Sequence, residues 1–316
     1  MHIMRILHFV IISFCLIMMM NTTKAQDLDP RAYSWIPAKI TFLVTGFSYS
    51  YGGVITDPTL PIKDIHADIE TPSLALGHSF GLFGKTAQVT AAVPYSWAQA
   101  SGTVGGGEKS TSRAGLCDMR FRFSILLLGG PASTFADIVK AKKRTILGAS
   151  CMIVAPTGQY YPEKLINLGT SRWSFKPELA LSQPLGARWL IDLYTAVWFF
   201  TNNDSYYPGN SVRSQNPMGA FQTHISYNLT PTLWTAFDLT YYTGGSTTVG
   251  GVVNEDRQSN MRIGATLVLP VSKINSVKLS VSRGAIIRYG SDFTTVSIGW
   301  QTLFFKKPSA TKPQAK

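Results

Sequence analysis

The sequence predicts an antiparallel, up-and-down β-barrel that spans a membrane, and three observations carry that prediction. About twelve segments alternate apolar and polar residues at period two. Each has at least ~10 residues, where soluble strands usually have ~5–6 and tilted membrane strands need ~9–11. The links between them alternate short and long, the layout of outer-membrane barrels. The stretch 232-TLWTAFDLTYYTGG-245 shows the pattern in small. Leu233, Phe237, Leu239 and Tyr241 share one parity; Trp234, Ala236, Asp238, Thr240 and Tyr242 share the other. A carboxylate in mid-strand among aromatic residues does not suit the core of a soluble sheet. It suits a lumen.

Composition agrees. Charged residues are 15% of the 316, against ~25% in soluble domains. Apolar residues are 45%, so the chain as a whole is not greasy. Residues 1–25 read as a secretory signal peptide: Arg5, an apolar run over 6–20, then Thr23 and Ala25 before the cleavage point. That run is short for a ~20-residue membrane helix. Loss of Arg5 and Lys24 lowers the net charge from +12 to +10. Cys117 and Cys151 then remain, in an oxidising compartment where a disulfide persists. The spacing does not decide whether they meet. No later apolar run is long enough for a membrane helix.

The strand segments fall near 38–51, 65–80, 86–98, 112–127, 144–156, 172–183, 188–201, 217–228, 232–243, 259–270, 276–288 and 292–305. Links 80–85, 184–187, 229–231 and 271–275 are tight. Links 51–64, 99–111, 157–171, 202–216 and 244–257 are long and rich in Gly, Asn, Asp, Ser, Thr and Tyr. This order places the short turns and both termini on the periplasmic side. Two links break the rhythm. Residues 129–143 are long where a turn is expected, and 132-ASTFADIVKAKK-143 predicts a short helix capped by Ser133 or Thr134. Residues 288–291 are short where a long loop is expected. The barrel is expected over 26–305. Residues 306–316, 306-KKPSATKPQAK-316, read as a basic, disordered periplasmic tail.

Tyr and Trp gather at the ends of the apolar parity: Tyr49, Tyr95, Trp97, Trp173 and Tyr241 near the loops, and Trp189, Tyr227 and Trp300 near the turns. Such belts mark membrane interfaces. The greasy parity therefore faces lipid and the mixed parity faces the lumen. Candidate lumen residues follow: Asp118, Arg120, Arg122, Lys176, Glu178, Asp192, Tyr194, Trp198, His224, Trp234, Asp238 and Arg262, with Phe200 and Tyr242 adding aromatic surface. Some segments resist. Segments 38–51 and 144–156 alternate weakly. Arg283 shares parity with Val281, which calls for a bulge at 282–284. Leu74 and Leu76 share parity with Asp68 and Glu70, which calls for a shift near Pro72.

No catalytic set, cofactor or metal site is expected. His224 lies on the lumen parity with Gln222 and Ser226, not on the lipid face where a barrel lipid hydrolase would need it. His66, Asp68 and Glu70 share a strand face but read as partners of basic residues. The glycines of 104-VGGGEK-109 have no strand–helix setting for a phosphate loop. No basic stripe on a nucleic-acid-reading fold is present, so no nucleic-acid partner is expected. Outer-membrane lipid and lipopolysaccharide are the expected surroundings.

Two stretches, 31-RAYSWIPAKITFLVTGFSYSYGGVITDPTLPI-62 and 279-LSVSRGAIIRYGSDFTTVSIGWQ-301, resemble the outer-membrane family named for the MetA pathway of phenol degradation. The likeness is strongest at Arg31, Ala32, Tyr33, Pro37, Ser282, Arg283, Gly284, Arg288, Asp292, Phe293, Trp300 and Gln301. The resemblance implies a barrel and a role in the passage of small organic, aromatic or apolar compounds. It implies no catalytic residues. The basic tail departs from a chain ending on an aromatic residue. The reading is a passive outer-membrane channel of about twelve strands for a small-molecule solute. The alternatives are a structural or surface-interaction barrel with a plugged lumen and, third, a barrel lipid hydrolase.

Overall fold

The computed structural model describes residues 28–55, 62–207 and 210–305. The expected signal peptide and basic tail lie outside the described residues. The wall strands are β1 (Ile40–Ile55), β2 (Ile62–Leu82), β3 (Lys85–Val104), β4 (Gly107–Leu116), β5 (Met119–Leu128), β6 (Ile146–Ala155), β7 (Ser174–Leu185) and β8 (Trp189–Phe200). After a small hairpin of β9 (Asn203–Tyr206) and β10 (Ser211–Gln215), the wall resumes with β11 (Met218–Asn228) and β12 (Trp234–Gly244). A second small hairpin, β13 (Thr247–Val249) and β14 (Val252–Val253), precedes β15 (Gln258–Pro270), β16 (Asn275–Ile286) and β17 (Gly290–Phe305).

Each wall strand pairs antiparallel with its neighbours, and β1 pairs with β17 from Ile40↔Phe305 to Ile55↔Gly290, closing the sheet. Taking β4 and β5 as one strand interrupted at Cys117 and Asp118, the barrel has twelve wall strands. β3 pairs with both, one residue out of step across the break (Tyr95↔Leu116, then Ala92↔Arg120). All twelve expected segments are present, and the wall begins at Ile40 and closes at Phe305 at the end with the tighter turns, here the terminal end. The opposite end is the loop end. β9, β10, β13 and β14 form a separate four-stranded sheet there.

Burial runs opposite to that of a soluble protein. In β8, β11 and β12 the buried parity carries Asp192, His224, Ser226, Asp238 and Thr240, while Phe199, Phe221 and Phe237 on the other parity are about half exposed. The exposed face is apolar and suits lipid. The aromatic belts stand where expected: Trp97, Trp173 and Tyr241 at the loop end, Trp189 and Trp300 at the terminal end. Trp189 packs against Tyr227 with ring centroids 4.7 Å apart.

Several details differ from the sequence reading. No shift occurs near Pro72: Glu70↔Trp97 and Ser73↔Pro94 keep one register, and Asp68, Glu70, Leu74 and Leu76 all point outward. The acids sit there because β2 has 21 residues and β3 has 20, about twice the ~9–11 that cross hydrocarbon. Their outer parts stand beyond it, and Tyr49 donates to Asp68 at 2.6 Å. The irregularity in β16 comes later than expected, with Met261↔Ile286 followed by Arg262↔Gly284, so Arg283 keeps the outward parity of Val281. The expected loop over 99–111 is a strand hairpin. Gly105 (φ 61°) and Gly106 (φ 85°) form the two-residue turn, whose double positive φ glycine accommodates without a Cβ clash. Cys117 and Cys151 are free thiols.

The long link after β5 does contain the expected helix, α1 (Phe135–Lys140). Thr134 is its N-cap and closes a capping box with Asp137. The link folds back on the β2–β3 turn: Thr86 donates its backbone N–H to Gly130 O and its hydroxyl to Pro131 O.

Phe237→Arg is expected to cost roughly 2–4 kcal/mol, the price of a cation at mid-depth on a lipid face. Folding yield read as heat-dependent mobility in detergent gels checks this. A wild-type yield would place Phe237 away from lipid.

Candidate functional site: the lumen and its N-terminal plug

Residues 28–39 do not join the wall. They run through the terminal half of the lumen, where Tyr33 is 1% exposed. Its hydroxyl lies 2.7 Å from Ser150 Oγ and donates to Glu178 Oε1 at 2.9 Å. Its ring meets Tyr194 edge-on at 5.2 Å. Wall residue Gly148 makes room for that ring, since an added Cβ would stand 2.3 Å from Tyr33 Cδ1. Ala32 N donates to Tyr194 Oη at 3.2 Å. Arg31 donates its backbone N–H to Asp192 Oδ2 at 3.2 Å and Nη1 to Asn228 Oδ1 at 2.9 Å, and its guanidinium lies 4.2 Å over the Trp234 ring.

Ionic contacts cross the barrel through this segment. Lys176 Nζ meets Glu178 Oε2 at 3.2 Å, and Glu178 Oε1 meets Arg122 Nη2 at 3.5 Å. Arg122 Nη1 then meets Asp29 Oδ2 at 3.8 Å, and Asp29 Oδ1 meets Lys278 Nζ at 3.0 Å. The chain starts on β7 and β5 and ends on β16, on the far side of the wall. Pairing of this kind is what charges of both signs in an enclosed space require.

The unexpectedly long β5–β6 link supports the segment from the terminal end. Trp35 Nε1 donates to Pro131 O at 2.8 Å, Arg144 stacks 4.6 Å over the Trp35 ring, and Ala38 N donates to Ser133 O at 2.9 Å. The weak alternation of 144–156 has the same origin. Ile146 and Leu126 point inward but are apolar, because they pack with Tyr33, Ala180 and Tyr194.

Below the segment, His224 Nδ1 lies 2.6 Å from Asp238 Oδ1, and Thr266 Oγ1 donates to Asp238 Oδ2 at 2.8 Å. Asp192 accepts from Ser182 Oγ as well as from Arg31 N. His224 Nε2 has no hydrogen-bond partner.

The structure thus brings Arg122, Lys176, Glu178, Asp192, Tyr194, His224, Trp234 and Asp238 around the segment. Asp238 pairs with His224 and Thr266, not with the lumen arginines. Trp198 stacks with Phe200 at 6.3 Å nearer the loop end, with Lys176 Nζ 5.4 Å from the Trp198 ring. Tyr242 packs there with Ala196, Met218 and Ala220. Arg262 is 2% exposed and donates Nη2 to Phe293 O at 3.1 Å. Arg120 keeps the inward parity but is exposed. Asp118 serves a different purpose. At the β4–β5 break it accepts from Gly158 N (2.9 Å), Thr170 N (2.9 Å) and Thr170 Oγ1 (2.6 Å), tying down the β6–β7 loop. Among the described residues no group of three or more His, Cys, Asp or Glu is arranged to hold a metal ion.

Sequence reasoning missed the residues of the plug itself. The available signal was Pro30 and Pro37 bracketing 31-RAYSW-35, a charged and aromatic run that starts no strand.

An outward apolar face, a polar interior and a chain segment seated inside define a membrane-spanning barrel of the outer-membrane type. The chain belongs to the family described as "Putative MetA-pathway of phenol degradation", whose model matches residues 46–287. Its fold is similar to the COG4313 outer membrane channel from Pseudomonas putida F1, at TM-score 0.73 and 20% identity over 88% of this chain and all of that one. It is also similar to the transport unit of the autotransporter AIDA-I from Escherichia coli, at TM-score 0.53 and 9% identity, covering 89% of this chain and 93% of that one. The β domain of the Bordetella autotransporter BrkA matches at TM-score 0.52 and 10% identity, over 84% of this chain and all of that one. No curated protein matches the chain.

Asp118→Ala leaves three donors without their acceptor, each worth roughly 1–3 kcal/mol if it stays dry. Faster tryptic cleavage at Lys164, in the loop that Asp118 holds, is the expected result. Tyr33 gives a pH prediction. Burial pushes its phenol up to about 12; Arg122 opposes the shift and Glu178 adds to it. The unfolded value is ~10. A raised pKa favours the seated, neutral phenol, so its contribution is complete below ~10 and is lost as pH rises through ~12. Exposure of Tyr33, read as the ultraviolet ionisation that a Tyr33→Phe variant lacks, should therefore begin above ~10, the value of an unperturbed tyrosine, and shift lower when Glu178→Gln is introduced.

Proposed function

We propose that this protein is an outer-membrane channel for small, apolar or aromatic molecules, closed at its terminal mouth by residues 28–39. The observation that carries the reading is the way the lumen is closed. Barrels of about eight strands fill with their own side chains, whereas those of 16–18 leave a water channel. Here twelve strands enclose more space than the wall fills, and a separate segment occupies it. That segment is held by hydrogen bonds and ion pairs, which can be exchanged for water, and by the packing of Tyr33 against Leu126, Ile146 and Tyr194, which a solute's own apolar surface could replace. Family membership supports the same reading. So do the partly exposed rings of Trp198 and Phe200, which offer apolar surface to a solute that has left water, with the buried Tyr242 packed against them and Tyr194 against Tyr33.

The tight-turn end, where the wall begins and closes, would face the periplasm, as in other outer-membrane barrels. The outward apolar face would meet phospholipid and, in the outer leaflet, lipopolysaccharide. An apolar solute crosses that polar leaflet slowly, and a shielded path would raise its flux. The plugged, structural barrel keeps one supporting observation: the ionic chain from Lys176 to Lys278 spans the lumen. The lipid hydrolase reading has less support. His224 and Ser226 are fully buried on the lumen side, and Ser226 Oγ and His224 Nε2 each lack a hydrogen-bond partner.

Influx of small phenols into proteoliposomes, corrected for leak through bare lipid, tests the channel. Wild-type flux should exceed the leak, Trp198→Ala should lower it, and deletion of residues 28–36 should raise both phenol flux and ion conductance. If all three proteins match the leak for phenols and ions, the structural barrel stands. If ions pass and phenols gain nothing, the lumen is a general pore.

A further inference from the structure

We propose that the loop end of the lumen contains a binding site for a small aromatic carboxylate, built from Arg172 and Arg213. The inference rests on reading the lumen as a solute path and names the charge that such a solute carries at its mouth. Arg172 lies on the inward parity just before β7 and is 7% exposed. Its Nη2 donates to Gln215 Oε1, while Nε and Nη1 are buried without a hydrogen-bond partner. Gln215 and Arg213 stand two residues apart on β10 and so share a face. The contact with Gln215 therefore brings the two guanidinium groups into one neighbourhood.

No ion pair joins either arginine to a carboxylate among the described residues. The acid that acts on Arg172 is Asp118, whose two oxygens already accept from Gly158 and Thr170, and Asp256, just past the neighbouring β13–β14 pair, accepts from Thr247 through both of its oxygens. Burial, with Arg213 adding to it, holds the Arg172 guanidinium down to about 10; Asp118 and Tyr206 oppose that shift. Two cations side by side, one with dry and unused N–H groups, are costly unless an anion completes them.

Geometry selects the class of anion. A guanidinium presents parallel donors that match the two oxygens of a carboxylate. Flat apolar surface lies next to them. Arg172 stacks 4.5 Å over Phe200 and Arg213 lies 5.2 Å over Tyr206. Phe200 continues into Trp198 with rings tilted by only 6°. An aromatic acid would place its carboxylate between the arginines and its ring along that face. The inward parity of Arg172 and Phe200 turns this part of the site away from lipid and its phosphates, so the anion arrives as a solute.

The test is binding to the purified, folded protein in detergent, read by saturation-transfer NMR with three probes: benzoate, benzyl alcohol and acetate. Benzoate should bind about tenfold or more tightly than either of the others, a margin of one charged, two-oxygen contact. Arg172→Gln and Arg213→Gln, each with a normal heat-dependent mobility shift, should remove that margin. Arg213 lies on the outer hairpin, so its variant remains informative if Arg172→Gln folds poorly. Equal binding of benzoate and benzyl alcohol to the wild type, or an undiminished margin in Arg213→Gln, would overturn the site. Inorganic phosphate that displaces benzoate at equal concentration would also overturn it, in favour of an unselective anion patch. Binding in detergent needs no passage, so failure here leaves the flux of neutral phenols to stand or fall separately.

Discussion

Everything in this structure depends on one requirement: no backbone amide or carbonyl can face hydrocarbon unpaired. Each such group costs several kcal/mol, and a sheet in lipid meets the requirement only when it has no edge. The seam between β1 and β17, unbroken from Ile40↔Phe305 to Ile55↔Gly290, removes the edge. Closure then dictates the side-chain pattern. Outward positions must be apolar, so hydrophobic residues such as Phe221 and Phe237 are exposed, and the polar residues gather inside.

Closing twelve strands creates a second problem. Twelve strands enclose more space than the ~8 that inward side chains fill, yet Asp192, His224 and Asp238, neighbours on the inner wall, are completely buried. Residues 28–39 resolve it. They supply a backbone N–H to Asp192, a hydroxyl to Glu178, a carboxylate to Arg122 and Lys278, and rings to Tyr194 and the inner wall. Polar wall and polar segment are therefore complementary halves of one packed layer. Among the described residues no comparable segment enters the loop end, where Arg172 keeps unused donors beside Arg213; at the filled end Arg31 and His224 each keep unused groups as well.

The strands, their faces and the aromatic belts were legible in the sequence because period-two alternation and belt position are local properties. Phe237 and Asp238 are neighbours in the chain, and their opposite environments follow from the pleat alone. The partners of the lumen charges were not legible. That Glu178 takes Tyr33, or that Asp118 ties down a loop, depends on which strands face each other across the barrel. Parity reports which side a residue faces, not what lies opposite. Length misled in two places: β2 and β3 overrun the hydrocarbon, so Asp68 and Glu70 stay on the outward parity without a shift near Pro72. The Gly105–Gly106 turn was hidden among loop-type residues although it joins two strands.

The plug passes into β1 at Ile40 without a break, and this makes it a leashed stopper. Twelve residues reach at most about 40 Å from that anchor, so a displaced segment stays near its own mouth. Its return is intramolecular, governed by a local effective concentration that tethers of this kind hold near the millimolar range. Reclosure would then be independent of how much of the protein the membrane holds, and each barrel would carry its own stopper through every opening.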